Sequence, residues 1–200
     1  MMWFKRLNYV AGVIALSLSA VINQAQAQSE TPKFEIGAQF SQLRIGNIIG
    51  ELDISDPGVG GRATWNINDY LGIEGEFNLF PERNENISGG GGRKVQGLFG
   101  GKIGKRSEHF GVFAKVRPGF VNFDKRIVRC PPGQLCPAVI QFYNKTEFAL
   151  DAGGVVEFYP SRSTVARFDV GDTIIRFTDR GYPNRMTNNL QFSVGFGFRF

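Results

Sequence analysis

Apolar and polar residues alternate along most of this chain. In "KFEIGAQF" the apolar set is Phe34, Ile36, Ala38 and Phe40; in "GVGGRATWNI" it is Val59, Ala63, Trp65 and Ile67. "YLGIEGEFNLF" gives Leu71, Ile73, Phe77 and Leu79, "KVQGLFGGKI" gives Val95, Phe99 and Ile103, and "FGVFAKVRPGF" gives Phe110, Val112, Ala114, Val116 and Phe120. Further on come Phe148, Leu150, Val156 and Phe158, then Ala166, Phe168 and Val170. The last stretch, "LQFSVGFGFRF", gives Leu190, Phe192, Val194, Phe196, Phe198 and Phe200. A period of two, held over about ten residues and bounded by turn signals, predicts β-strands, and its recurrence predicts an all-β chain.

The gaps between these stretches alternate too. After the second, fourth and sixth they are short: "NIND", "GKRSEH" and "PSRS". After the first, third, fifth and seventh they are long, starting near Arg44, Pro81, Phe123 and Phe177. Short turns at one end and long loops at the other, around eight strands, predict an eight-stranded antiparallel up-and-down transmembrane β-barrel.

Two arrangements of the faces are compatible with the alternation. The parity opposite the Phe set carries Glu35, Arg62, Glu74, Glu76, Lys102, Lys115, Arg117, Glu147, Asp151, Glu157, Arg167, Asp169 and Arg199. A lipocalin-like barrel in water would hold the aromatics inside, whereas a barrel in lipid would hold the charges inside. Volume decides between them, because eight strands enclose a space just filled by side chains or one small ligand. The Phe side chains with Leu, Ile and Trp would overfill it. Outside, they make an apolar band about 25 Å tall with aromatics at both rims. Trp65, Tyr70, Phe110 and Tyr159 are then expected beside the short turns, and Phe40, Phe80, Phe120 and Phe148 beside the long loops.

With cations and anions nearly balanced on the inner parity, an ion-pair network is expected to close the lumen, since an unpaired buried charge is costly. A narrow charged channel for ions or small solutes is the alternative. Two local features predict irregularities. In "DVGDTIIRF" a bulge at Gly171 would turn Asp172 and Arg176 inward and Ile175 and Phe177 outward. Pro118, lacking a ladder donor, predicts a bulge or the end of pairing in the fifth strand.

The amino terminus adds an export signal. Lys5 and Arg6 precede an apolar stretch from Val10 to Ile22 and the A-x-A site Ala25-Gln26-Ala27, so residues 1–27 read as a cleaved signal peptide and 28–200 as the barrel domain. A membrane anchor is the other reading, but the apolar stretch is short against the roughly 20 residues of a spanning helix. The formal charge of +5 is too small, and too scattered, to imply nucleic acid. Cys130 and Cys136 flank a Pro-Pro-Gly turn in "RCPPGQLCP"; after export they read as a local disulfide, since a metal site needs more ligands than this stretch offers.

Candidate chemistry is sparse. Ser107, Glu108 and His109 have the residue types of a hydrolase triad, but three adjacent residues in a tight turn cannot converge on one reacting atom. His109 is the only histidine, so no other triad can use one. "SGGGG" falls in a long loop, not between strand and helix, and cradles no phosphate. No cofactor is expected, and no enzymatic activity. Lys125, Arg126 and Arg129, with Arg180 and Arg185, put cations at the external rim, suited to lipopolysaccharide phosphates. The cysteine loop, followed by the apolar "AVIQFY", suits a small knob that binds an external partner the residues do not name.

The terminal alternation ending on Phe196, Phe198 and Phe200 resembles the small bacterial outer-membrane barrels of the OmpA/OmpX type, over residues 33–200. The resemblance implies location in the outer membrane and recognition of the final strand by the barrel-assembly machinery. It also leads to the expectation that the chain ends with the barrel, without a peptidoglycan-binding domain. A strand running to the last residue has a physical reason as well, for hydrocarbon offers no partner to an unpaired edge. Together these expectations describe an outer-membrane barrel with a structural or surface-interacting role, in membrane integrity or adhesion.

Overall fold

The computed structural model describes residues 32–45, 54–81, 93–124, 126–128, 140–142, 144–178 and 185–200. Among the described residues there are eleven strands: β1 (Phe34–Ile45), β2 (Ile54–Asn66), β3 (Leu71–Phe80), β4 (Lys94–Arg106), β5 (Phe110–Phe123), β6 (Arg126–Val128), β7 (Ile140–Phe142), β8 (Lys145–Ser161), β9 (Thr164–Phe177), β10 (Arg185–Thr187) and β11 (Asn189–Arg199). Eight of them form one antiparallel ring, β1-β2-β3-β4-β5-β8-β9-β11, which the β1–β11 pairing closes. β10 extends the β9 edge, and β6 with β7 makes a separate two-stranded sheet. Residues 1–27, Cys130 and Cys136 lie outside the described residues.

The seam is continuous from Glu35↔Arg199 to Ile45↔Asn189. At its end Phe34 N donates to Phe200 O at 2.8 Å and Phe200 N to Phe34 O at 2.9 Å, so the final residue completes the ring. The short turns are built locally. Asn68 Oδ1 accepts from the backbone of Tyr70 and Leu71, an Asx turn that returns β2 into β3. Ser107 N donates to Phe110 O at 2.7 Å in the β4–β5 turn.

Alternation sends side chains to two unlike faces. Phe99, Ile103 and Phe198 are 65%, 64% and 62% exposed on the outer wall, while Arg117, Glu74, Asp151 and Glu157 are wholly buried inside. A barrel closed in lipid has this inverted order. Bulky inward side chains are seated over inward glycines of the next strand: a Cβ on Gly58 would lie 2.5 Å from the Phe80 ring, and one on Gly60 2.0 Å from Asn78 Oδ1.

Four expectations are corrected here, the last of them in part. Phe80 and Tyr159 do not stand on the outer rims; both are buried inside. Each shares the inward parity of its neighbours, Asn78 and Glu157, and an aromatic ring does not override that parity. No bulge occurs at Gly171: β9 keeps register with β8 and β11 through it, so Asp172 faces outward and Ile175 inward. The outward carboxylate is met locally, as Asp172 Oδ1 accepts from Asn189 N at 2.7 Å. At Pro118 no bulge follows, and the expected end of pairing is met on one side only. The proline pairs with Leu150 on β8, and only the β4 side is interrupted, between Leu98↔Gly119 and Gly101↔Val116, with register unchanged. The register shift falls instead between Phe158 and Ser161, where Pro160 cannot donate.

Candidate functional site

The barrel interior is stacked in layers, because inward positions recur every second residue on all eight strands. At the end with short turns, Glu35 Oε1 accepts from Asn66 Nδ2 at 2.8 Å and from Arg106 Nη2 at 3.3 Å. Arg106 Nε donates to the Tyr159 hydroxyl at 2.9 Å, which donates to Glu157 Oε2 at 2.7 Å. The Arg199 guanidinium lies 3.9 Å from the Tyr159 ring centroid, a cation–π contact.

The middle layer spans the lumen. Arg167 on β9 grips Glu74 on β3 with two donors, holds Asp169 through Nε at 2.6 Å and reaches Glu157 at 3.1 Å. Lys102 on β4 pairs with Glu157 on β8. Arg117 on β5 donates through Nη1 to Glu76 on β3 at 2.5 Å, and through Nε and Nη2 to Asp151 on β8 at 2.9 and 2.6 Å. Lys115 lies 3.0 Å from both Asp151 and Asp169. Six carboxylates, Glu35, Glu74, Glu76, Asp151, Glu157 and Asp169, thus meet six cations, Lys102, Arg106, Lys115, Arg117, Arg167 and Arg199.

Toward the long-loop end the lumen becomes uncharged, then apolar. Asn78 Nδ2 donates to Glu76 at 2.7 Å and to Gln96 at 2.8 Å, while its Oδ1 accepts from Gln39 and Ser41. Gln96 and Gln191 exchange amide hydrogen bonds at 2.9 and 3.1 Å, and Thr173 donates to Gln191. Leu98, Val121, Ala149 and Ile175 then pack together with Phe123 and Phe177, beside a second cluster of Leu43, Ile45 and Phe80. A pair between Lys94 and Asp56, 2.6 Å long, lies within this region. Full desolvation strengthens each pair and makes any unpaired member costly, so the layers hold one another in place.

All thirteen charges expected inside are buried there. Eleven join the mutual network, and two do not. Glu147 makes a separate group at the long-loop end with Lys145 at 2.8 Å and the Thr178 hydroxyl at 3.0 Å. Arg62 has no ion pair among the described residues. Sequence reasoning does not reach Arg106, Lys94 and Asp56: Arg106 and Asp56 continue an inward parity into what reads as turn or loop, and Lys94 opens its strand on that parity. The uncharged Gln39, Ser41, Asn78, Gln96, Gln191 and Ser193 carry the same signal.

Outside the lumen, Ser107, Glu108 and His109 are exposed in the β4–β5 turn. Phe196 and Phe198 face outward with centroids 5.9 Å apart, and Phe200 stacks on Phe34 at 6.2 Å. Among the described residues no group of three or more His, Cys, Asp or Glu could hold a metal ion.

The family model of the outer membrane protein beta-barrel domain matches residues 13–200, and the chain belongs to that family. No curated protein matches it. Among solved structures it is similar to Ail, the attachment invasion locus protein of Yersinia pestis, at 17% identity and TM-score 0.53, over 84% of this chain and 99% of that one. It is also similar to the Neisserial surface protein A, at 14% identity and TM-score 0.55, over 84% of this chain and 97% of that one. At these identities the likeness is one of fold.

Proposed function

We propose that this outer-membrane barrel works through its surface, with a sealed interior that serves stability and not passage. Its role is structural or surface-interacting, in membrane integrity or adhesion. One observation carries the reading: buried pairs cross the lumen from β3 to β9, from β4 to β8 and from β3 through β5 to β8. A permeating ion would have to part several of them at once, each at the cost of an uncompensated buried charge. The apolar clusters beyond them, among which Lys94 and Asp56 are already bound to each other, offer little to solvate an ion.

The rest of the reading follows from the sequence. Residues 1–27 direct export, and the chain is delivered to the assembly machinery through its terminal Phe196, Phe198 and Phe200 strand. Rim cations bind lipopolysaccharide phosphates. The connection carrying Cys130 and Cys136, from which the β6–β7 sheet arises, is the element offered to an external partner. A narrow channel for ions or small solutes is the second reading, favoured by the polar character of the lumen wall.

Solute uptake separates the two. Residues 28–200, refolded into vesicles and shown to co-sediment with them, are expected to leave swelling in small sugars at the protein-free rate. Swelling that rises with protein load and falls with sugar size would replace the sealed barrel by a channel.

A further inference from the structure

Arg62 is the exception to the pairing inside the barrel. It projects inward from β2, is 5% exposed, and its buried Nε has no hydrogen-bond partner among the described residues. Glu76 stands directly opposite it in the β2–β3 ladder, but the Glu76 oxygens are taken by Arg117 at 2.5 Å and Asn78 at 2.7 Å. Glu74, two residues away, is gripped by Arg167 through both oxygens. On its other flank Arg62 pairs with Gly37, which pairs with Gly197, so that stretch of inner wall carries no side chains. The nearby Gln39 Oε1 is also buried without a partner.

Among the described residues the charges point the same way. The six carboxylates of the network are matched by six cations, Lys94 pairs with Asp56 and Lys145 with Glu147. Arg62 is then one positive charge more than the described carboxylates of the interior. A guanidinium does not lose its proton at accessible pH, so the excess cannot be relieved by titration. Its buried Nε–H is a charged donor left without an acceptor, which suits an anion. Every other buried cation among the described residues has an ion pair, so none is left to join Arg62 in binding a larger polyanion.

We propose that Arg62 holds one small monovalent anion of the halide class inside the lumen, at its unpartnered Nε–H. The site goes beyond the sealed-barrel reading and does not depend on it, because its test reads an ion at one residue and not a current.

The experiment uses residues 28–200 folded in detergent. Crystals grown in bromide are expected to show an anomalous bromine peak in hydrogen-bond contact with the Arg62 guanidinium. In solution, urea unfolding is compared in sodium bromide and in sodium gluconate of equal concentration. Bromide at ten times its dissociation constant should raise the folded-to-unfolded ratio about tenfold over gluconate. In Arg62→Gln the difference between the salts should vanish. Absence of the peak overturns the proposal and leaves a guanidinium satisfied by water. A peak without the salt difference would mean binding at crystal concentration only, and would overturn the site in solution. Should Arg62→Gln not fold, the wild-type peak and salt comparison decide alone.

Discussion

Arg117→Met removes the guanidinium that joins β3, β5 and β8 at mid-lumen while keeping an unbranched side chain. Three charge-assisted hydrogen bonds go with it, one to Glu76 and two to Asp151. Glu76 keeps Asn78 Nδ2 at 2.7 Å and Asp151 keeps Lys115 at 3.0 Å, so neither carboxylate is stripped bare. Breaking one partner out of a buried pair costs about 3–5 kcal/mol, and the surviving partners place this case near the lower end. The assay is equilibrium urea unfolding in detergent micelles, read from Trp65, the only tryptophan within residues 28–200. With an m-value of about 2 kcal/mol/M, a loss of about 3 kcal/mol lowers the midpoint by about 1.5 M. Adding Glu76→Gln and Asp151→Asn removes the orphaned charges, and this triple variant is expected to recover most of the loss. A single-variant loss under about 1 kcal/mol, or a triple variant no better than the single, would refute the claim that paired buried charge ties these strands together.

Three further outcomes follow from the same geometry. Val116→Arg places a charge mid-strand on the outer wall and is expected to cost about 2–4 kcal/mol, against about 0–1 for Gln42→Arg near the long-loop end; equal costs in lipid would contradict a hydrocarbon-facing band. Tyr159→Phe removes the hydroxyl linking Arg106 to Glu157 but leaves the ring under Arg199, so it should destabilise by about 1–3 kcal/mol in urea titrations, and an unchanged midpoint would count against that relay. Gly60→Ala directs a methyl into the Asn78 amide and should cost about 1–3 kcal/mol, whereas Gly61→Ala, whose Cβ would have no neighbour nearer than 3.7 Å, should fold as the parent does.

The wall of this barrel was legible because lipid and lumen demand opposite chemistry from neighbouring residues. Lys102, Arg117 and Arg167 could be placed on the inner parity by counting in twos. Residue type misleads where it competes with parity: aromatic character suggests the rims for Phe80 and Tyr159, yet their positions turn them inward. Asp172 misled in the other direction, since a carboxylate on the outer parity suggested a bulge, and the backbone N–H of Asn189 that accommodates it belongs to a different strand. Partner choice was not legible. Arg167 meets Glu74 across 93 positions of sequence, which depends on the relative stagger of strands that do not pair with each other. For the same reason the isolation of Arg62 could not be foreseen: its ladder neighbour is a carboxylate, and only the three-dimensional arrangement shows that Arg117 has taken it.

Ionic conductance of single inserted barrels tests the sealed lumen most directly. Residues 28–200 would be reconstituted at low density in a planar bilayer, with insertion counted optically in the same membrane, and current recorded in symmetric salt. A sealed lumen gives no current steps from the parent barrel, and steps are expected once Arg117 and Arg167 are both replaced by Ala. Steady, ion-selective steps from the parent would contradict it, and would make the paired charges the lining of a path.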